Sequence, residues 1–147
     1  MMRGRVFLFV LALLAASCAR PSSREFFVLR ENAEYGDTYS FYLDLSDSSA
    51  TYGMDFFTRL ERNGFKALPM EDILLDLRWF SPSDSIFTDT ASVRIGDYSG
   101  ESYFKRDIVT GYSGRLDIPE VGQWRLKARI LNDSEAIRGL GVVLKIN

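Results

Sequence analysis

The sequence contains no histidine and only one cysteine, Cys18, among its 147 residues. The lack of histidine excludes Ser-His-Asp and Cys-His nucleophile systems and any metal site that depends on imidazole ligands. A single cysteine excludes an intramolecular disulfide and a thiolate cage for a metal. Glycoside hydrolysis needs two carboxylates that face each other, but nothing in the sequence pairs Asp55, Asp76 and Glu101. We therefore expect a protein that is not an enzyme, with no catalytic residues, no metal site and no cofactor.

Basic residues are also not in excess, since 18 Lys and Arg stand against 20 Asp and Glu, for a formal net charge of −2. The chain has no basic block, so we expect no nucleic-acid partner. Acidic and hydroxyl residues cluster at positions 44–48 and 81–85. Neither cluster has the spacing of a calcium loop, and we interpret both as polar connections between strands.

One long apolar run is present, at residues 6–16, directly after Arg3 and Arg5. It is shorter than the roughly 20 residues that span a membrane, but it fits the hydrophobic region of a signal peptide. Three small residues, positions 15–17, then precede Cys18. The segment resembles a bacterial lipobox, with Ala15 at the position where leucine is commonest. The alternatives are ordinary secretion with an incidental cysteine, or a short buried N-terminal helix.

The lipobox resemblance implies that the thiol of Cys18 receives a diacylglyceryl group and that the chain is cut after Ser17. A second acyl chain of the palmitate type is then expected on the new amino terminus, which strengthens the anchor. The predicted division is a signal peptide at 1–17, a lipidated N-terminus and short tether at 18–24, and a folded domain at 25–147. We expect a lipid-anchored protein of the cell envelope, in the outer membrane on the periplasmic side, whose contact with the membrane is the acyl anchor at Cys18.

The rest of the chain is dominated by alternation of apolar and polar residues, which is typical of half-buried strands. The alternation is clear at residues 38–45, 52–60, 73–80, 124–131 and 142–146, and weaker at 26–30 and 102–109. Turn signals recur at short spacings, 14% of the residues are aromatic, and no long helical period is present. This pattern predicts an all-β protein, namely an antiparallel β-sandwich, immunoglobulin-like, with about seven strands.

Some segments depart from the alternation. Residues 68–77 permit a helical turn, and residues 87–92 are polar and weakly patterned, which predicts a mobile or bulged segment. Residues 96–100 and 110–114 are rich in Gly, Ser and Tyr, a composition that favours adaptable loops. Aromatic side chains in or beside these loops form a possible recognition loop: Tyr98, Tyr103, Phe104 and Tyr112. The alternative is that these rings cap the end of the core.

The order of short motifs is more specific than any one of them. After the lipobox come Phe-Tyr-Leu-Asp-Leu at 41–45, Leu-Asp-Leu-Arg at 75–78, a Pro-x-x-Gly-x-Trp turn at 119–124, and Gly-Leu-Gly-Val-x-Leu-x-Ile at 139–146. This layout resembles the gliding-motility-associated lipoproteins of the GldH type, found in Bacteroidetes, and departs from them at 128–130 and 139–142. The resemblance implies a lipid-anchored envelope protein with a non-catalytic structural or assembly role and other envelope proteins as partners. The alternative function is a lipid-anchored binding module for glycans or small ligands, which the loop aromatics suggest.

Overall fold

The computed structural model describes residues 23–62, 71–95, 104–132 and 137–147. These residues form eight strands and one short 3-10 helix at Arg30–Asn32. The strands are β1 Ser23–Leu29, β2 Thr38–Leu45, β3 Tyr52–Arg62, β4 Ile73–Phe80, β5 Ile86–Val93, β6 Phe104–Ser113, β7 Gly122–Ile130 and β8 Ile137–Ile146. In the described part of the chain, no helix is long and apolar enough to cross a membrane.

The strands form two antiparallel four-stranded sheets. Sheet A has the order β1-β8-β3-β6 and sheet B has the order β2-β7-β4-β5. The two sheets pack their apolar faces together, which confirms the all-β sandwich. The structure has eight described strands where the sequence suggested about seven, and the additional strand is β5.

The connections between the strands define the topology. Among the described strands, consecutive ones lie in opposite sheets, except for β4 and β5, which pair as neighbours in sheet B. This order is that of an eight-stranded jelly roll with two Greek keys. The immunoglobulin-like connectivity that we expected is therefore replaced by that of a jelly roll. The two folds share the same alternation within strands, and only the pairing order distinguishes them.

The core follows the alternation seen in the sequence. The inward positions of the clearest strands are buried, because successive side chains of a strand point to opposite faces. This set comprises Tyr39, Phe41, Leu43, Leu45, Met54, Phe56, Leu60, Ile73, Leu75, Leu77, Trp79, Trp124, Leu126 and Ala128. Thr58 also points inward, and its hydroxyl donates a hydrogen bond to the carbonyl of Gly139 at 2.8 Å. The polar atom is thereby satisfied within the apolar interior.

Several element boundaries differ from the prediction. Residues 73–77 belong to strand β4 and not to a helical turn, and residues 87–92 lie in the regular strand β5. Strand β6 continues to Ser113, so the segment expected as a loop at 110–114 is largely extended. Strand β8 begins at Ile137, and strand β1 includes Ser23 and Arg24, two residues assigned to the tether.

The outer face of sheet A contains an unusual apolar row. Gly141 in β8 pairs with Phe27 on one side and Phe57 on the other. The two rings stack at 5.6 Å between centroids, lying over the glycine because it has no side chain. Phe57 is thereby buried, although it faces away from the core. The guanidinium of Arg59 covers the Phe27 ring at 4.9 Å.

Candidate functional site

A groove of about 450 Å³ opens where the edge strands β5 and β6 meet. Its inner surface includes Trp79, Tyr112 and Trp124, and β5 contributes Phe87 and Asp89. Residues 115–119, which follow strand β6, form the opposite side. The groove exists because the inner face of β5 carries a carboxylate, which does not enter an apolar core without a charged partner.

The aromatic rings of the groove form a connected cluster. Tyr112 stacks against Trp79 at 6.3 Å and meets Phe56 edge to face at 5.4 Å. Trp124 meets Trp79 edge to face at 6.5 Å and lies 6.0 Å from Phe87. The indole nitrogen of Trp124 donates a hydrogen bond to the Glu120 carbonyl at 2.8 Å. The cluster stabilises the floor of the groove, because each such ring pair contributes about 0.5–1.5 kcal/mol beyond its buried area.

The ring faces are unequally accessible. Trp79 and Trp124 have exposed fractions of only 8% and 4%, whereas Phe87 is 46% exposed. The aromatic surface that a ligand meets is therefore mainly the Phe87 ring, which offers an apolar contact.

Tyr112 and Asp89 link the two edge strands. The phenol of Tyr112 donates a hydrogen bond to Oδ2 of Asp89 at 2.6 Å. The pKa of Tyr112 is raised above its ordinary value, first because the phenol is partly buried and second because it donates a hydrogen bond to this carboxylate. The other carboxylate oxygen, Oδ1, accepts the Thr90 amide at 2.8 Å. Asp89 remains exposed, so a cation in the groove can still reach it.

The polar rim of the groove contains both signs of charge. Arg115 and Asp117 lie on one side, and Asp89 and Thr88 lie on the other. Within the described ranges, no group of three or more Asp, Glu, His or Cys side chains is close enough to hold a metal ion. The groove therefore offers an apolar floor, carboxylates at its rim and one guanidinium.

A second surface lies on the outer face of sheet B. Tyr42, Arg125, Phe80 and Ile86 form one row across all four strands. The Arg125 guanidinium covers the Phe80 ring at 4.4 Å, and Tyr42 and Ile86 are 67% and 59% exposed. Tyrosine, phenylalanine and arginine are enriched at protein interfaces. We call these four residues the contact row.

A charged cluster flanks the contact row. Lys127 reaches Oε2 of Glu34 at 2.9 Å, and Ser40 donates to Oε1 of the same carboxylate at 3.0 Å. These two hydrogen bonds lower the pKa of Glu34. Further along the face, Arg129 lies 3.6 Å from Asp76. The charges are therefore paired across strands, and the contact row remains the most apolar part of this face among the described residues.

The predicted site residues have different outcomes. Cys18, Tyr98 and Tyr103 lie outside the described residues. Phe104 is the first residue of β6, where it pairs with Arg62. Tyr112 lies in strand β6 and not in a loop, and its ring packs against the core. The expected placement of Tyr112 is therefore corrected, whereas its role in recognition stays a prediction.

Of the residues that line the groove, only Tyr112 was among the predicted site residues. Phe87 and Asp89 were in addition not recognised as strand positions. The available signal was the period-two order of Phe87, Asp89, Ala91 and Val93, with hydroxyl residues between them. The carboxylate interrupts the apolar face, so the segment resembled an irregular connection. A strand at the edge of a sheet tolerates such a residue because its inner face is only partly covered.

Comparison with known proteins gave matches among solved structures but none among sequences. No family profile matches the chain, and no curated protein sequence is similar to it. Among solved structures, it is similar to part of dimeric latent PorU from Porphyromonas gingivalis, a Bacteroidetes species. The identity is 14% and the TM-score is 0.39, over 86% of this chain. The chain spans only 13% of the length of PorU, and neither value is high enough to indicate a shared function.

Proposed function

We propose that this protein is a lipid-anchored component of the cell envelope with a non-catalytic structural or assembly role, similar to the gliding-motility-associated lipoproteins of the GldH type. It acts by binding other envelope proteins, from the periplasmic side of the outer membrane. The observation that supports the proposal is the contact row, which lies near the end of the sandwich where strand β1 begins.

The tether determines which end of the domain faces the membrane. Ser23, the first residue of β1, follows Cys18 by five positions, and an extended chain of that length reaches at most roughly 18 Å. Ser23 pairs with Lys145, which also pairs with Gly53 near the start of β3. The domain end that contains these residues is therefore held close to the anchor.

The contact row lies near the same end. Residues 46–51 join the end of β2 directly to the start of β3, so Leu45 and Tyr52 are at the end where Ser23 lies. Tyr42 is three residues before Leu45, and Ile86 opens strand β5 opposite Phe80 at the end of β4. A partner bound there is a protein of the same membrane surface.

The alternative is a lipid-anchored binding module for glycans or small ligands, and its glycan part has less support from the geometry. It was based on aromatic rings in loops, but Tyr112 belongs to a strand, the two indoles of the groove are nearly covered, and Phe87 alone among the groove rings is largely exposed. A glycan array with the purified protein distinguishes the two functions, because the assembly role predicts no sugar binding.

The anchor is tested by Cys18→Ala. We expect the variant to lose incorporation of labelled palmitate and to leave the membrane fraction when it is expressed in a bacterium with two membranes. Ser17→Ala is the matched control, since it keeps a small residue before the cysteine. A Cys18→Ala protein that is still processed and still requires detergent for extraction would remove the lipoprotein assignment.

The contact row is tested by photo-crosslinking in intact cells. A benzoylphenylalanine residue at position 42, in place of Tyr42, should crosslink to another envelope protein, whereas the same replacement of Tyr35 should not. Both side chains are exposed, but Tyr35 lies before the start of strand β2 and Tyr42 near its end. Equal crosslinking at both positions, or none at Tyr42, would contradict the proposed assembly surface.

A further inference from the structure

Strand β5 has a free backbone edge among the described residues, because it is the last strand of sheet B. Its residues from Ile86 to Thr90 are all exposed. Natural edge strands are commonly blocked by Lys, Pro or a bulge, which prevent pairing with another chain. β5 has no Lys, no Pro and no bulge: its sequence is Ile-Phe-Thr-Asp-Thr-Ala-Ser-Val, and its register with β4 contains no shift. Its one charged side chain is the inward-facing Asp89, which disfavours pairing with a strand that brings no opposite charge.

The direction of the free hydrogen-bonding groups follows from the ladder. Leu74 in β4 directs both its groups toward β7, since its amide donates to the Asn132 side chain and its carbonyl accepts from Leu131. Leu74 and its β5 partner Ser92 are therefore a non-hydrogen-bonded pair. Because the pattern alternates along an antiparallel ladder, Thr88 and Thr90 also direct their N–H and C=O groups away from β4, toward the free edge.

The groove lies on the inner side of that same edge. Phe87 and Asp89 pair with the inward-facing Trp79 and Leu77, so they share the inner face of sheet B. Both are exposed and line the groove. On the other edge strand of this sheet, β2, the inner-face residues Tyr39 and Phe41 are fully buried. Of the two described edge strands of sheet B, β5 is therefore the one whose inner-face side chains are exposed and line a groove.

We infer that β5 binds an extended peptide segment of another envelope protein, which adds as an antiparallel strand and places side chains into the groove. Affinity comes from main-chain hydrogen bonds between the peptide and three groups of β5: the N–H of Thr88, the carbonyl of Thr88 and the carbonyl of Thr90. Specificity comes from the alternate side chains of the peptide that enter the groove, as in other cases of strand addition. The side chain opposite Phe87 is apolar, since it meets the exposed ring. The side chain opposite Asp89 is basic, since it meets a carboxylate whose oxygens already accept hydrogen bonds only from neutral donors.

This inference rests on the proposed assembly role and specifies its partner as an extended basic-apolar peptide. The strand addition is tested by peptide binding, whereas the anchor is tested by membrane attachment and the contact row by crosslinking. Loss of membrane attachment or of crosslinking at Tyr42 would contradict the proposed function and leave peptide binding intact. Loss of peptide binding would contradict only the strand addition.

The probe is a fluorescein-labelled peptide with the core Thr-Lys-Thr-Phe-Thr, whose central threonine lies opposite Thr88 in the antiparallel register. Its binding to the full chain in detergent micelles is followed by fluorescence anisotropy. The matched probe has the same side chains with an N-methyl group on the central threonine. We expect the N-methylated peptide to bind at least tenfold more weakly, because it cannot donate to the Thr88 carbonyl.

Two variants of Thr88 test the second hydrogen bond of this pair, in which the Thr88 N–H donates to the peptide carbonyl. Thr88→Pro removes the outward N–H without removing a bond to β4, and it should weaken binding at least tenfold, whereas Thr88→Val should bind like the natural chain. Asp89→Asn should reduce binding of the lysine peptide several-fold and leave a norleucine analogue unaffected. Circular dichroism verifies that each variant is folded, and the N-methyl comparison on the unaltered chain does not depend on the variants.

Several results would overturn the inference. Equal binding of the two peptides would indicate groove binding without strand addition, and no binding of either would exclude the site. A dimer of the full chain that Thr88→Pro dissociates would identify a second copy, not a peptide, as the occupant of β5.

The expected structural signature is protection of the β5 amides from hydrogen exchange when the unmethylated peptide is present, and no such protection with the N-methylated peptide.

Discussion

Gly141→Ala is expected to destabilise the domain strongly, although the residue lies on the outer face of sheet A. A methyl group at this position would clash with Cζ and Cε1 of Phe57 and would lie 2.8 Å from the carbonyl oxygen of Phe26. The ring must move, but the backbone carbonyl belongs to the neighbouring strand β1 and moves only with it. The substitution therefore perturbs a side chain and a strand pairing together.

The magnitude follows from these two contacts. Overpacking of a buried site costs about 1–3 kcal/mol. Displacement of Phe57 also breaks its stack with Phe27, and such aromatic pairs contribute about 0.5–1.5 kcal/mol. We expect a total loss of about 2–4 kcal/mol in the free energy of unfolding, against the roughly 5–15 kcal/mol that stabilises a typical domain.

Urea unfolding followed by tryptophan fluorescence measures this loss. Gly111→Ala is the matched control, since it lies on the same face of sheet A and its added methyl group would meet only Asp55 Oδ1, at 3.8 Å. We expect the control to change stability by less than about 1 kcal/mol. In a Phe57→Val background, the cost of Gly141→Ala should fall, because the ring that clashes is gone. A Gly141→Ala variant as stable as the natural chain, or an undiminished cost in the Phe57→Val background, would refute the reasoning.

Four other substitutions test the aromatic cluster and the surface. Trp124→Ala should lower the free energy of unfolding in urea by about 3–5 kcal/mol, because it removes a buried indole and leaves a cavity. Tyr112→Ala should lower it by a smaller but measurable amount, because the Tyr112 ring is half-buried. A change near zero would indicate that Tyr112 does not contribute to the core. Tyr112→Phe should flatten the loss of stability in alkali. The raised pKa of Tyr112 in the folded state means that its contribution is full below the ordinary pKa of tyrosine and is lost as pH rises above that value; identical alkaline slopes for the variant and the natural chain would contradict this. Asp107→Asn breaks an exposed ion pair with Arg59 at 2.8 Å and should cost less than about 1 kcal/mol, with the difference vanishing in high salt.

The limits of sequence-based prediction are visible in two segments. Strand β2 was predicted with its observed bounds because one face is wholly apolar and is covered by the other sheet along its length. Strand β5 was missed because its inner face is covered only near Ala91 and Val93. The exposed inner positions of Phe87 and Asp89 need not be apolar, so the segment lacks a regular alternation of apolar and polar residues. The candidate groove lies beside the part of β5 that lacks this pattern.

Tyr112 illustrates a different limit. Its neighbours Gly111 and Gly114 are typical of a loop, and composition alone indicated one. The extended conformation comes from pairing with β3, in which Gly111 lies opposite Asp55 and Ser113 opposite Met54. A shift of register between those two pairs accommodates Tyr112 and directs its ring onto Trp79. Such a contact depends on a strand far earlier in the chain, which no local pattern reveals.

The sequence by itself determined the fold class and the inward-facing residues of the main strands. The side chains of a strand alternate between two faces, so burial of one face requires an apolar residue at every second position, and that pattern can be read locally. It also determined the lipobox prediction, which depends on contiguous residues alone. Only the tertiary structure decided the jelly-roll order, the burial of Phe57 over Gly141 and the groove beside β5. Each of these depends on which strands become neighbours, and that choice is made by packing between residues far apart in the chain.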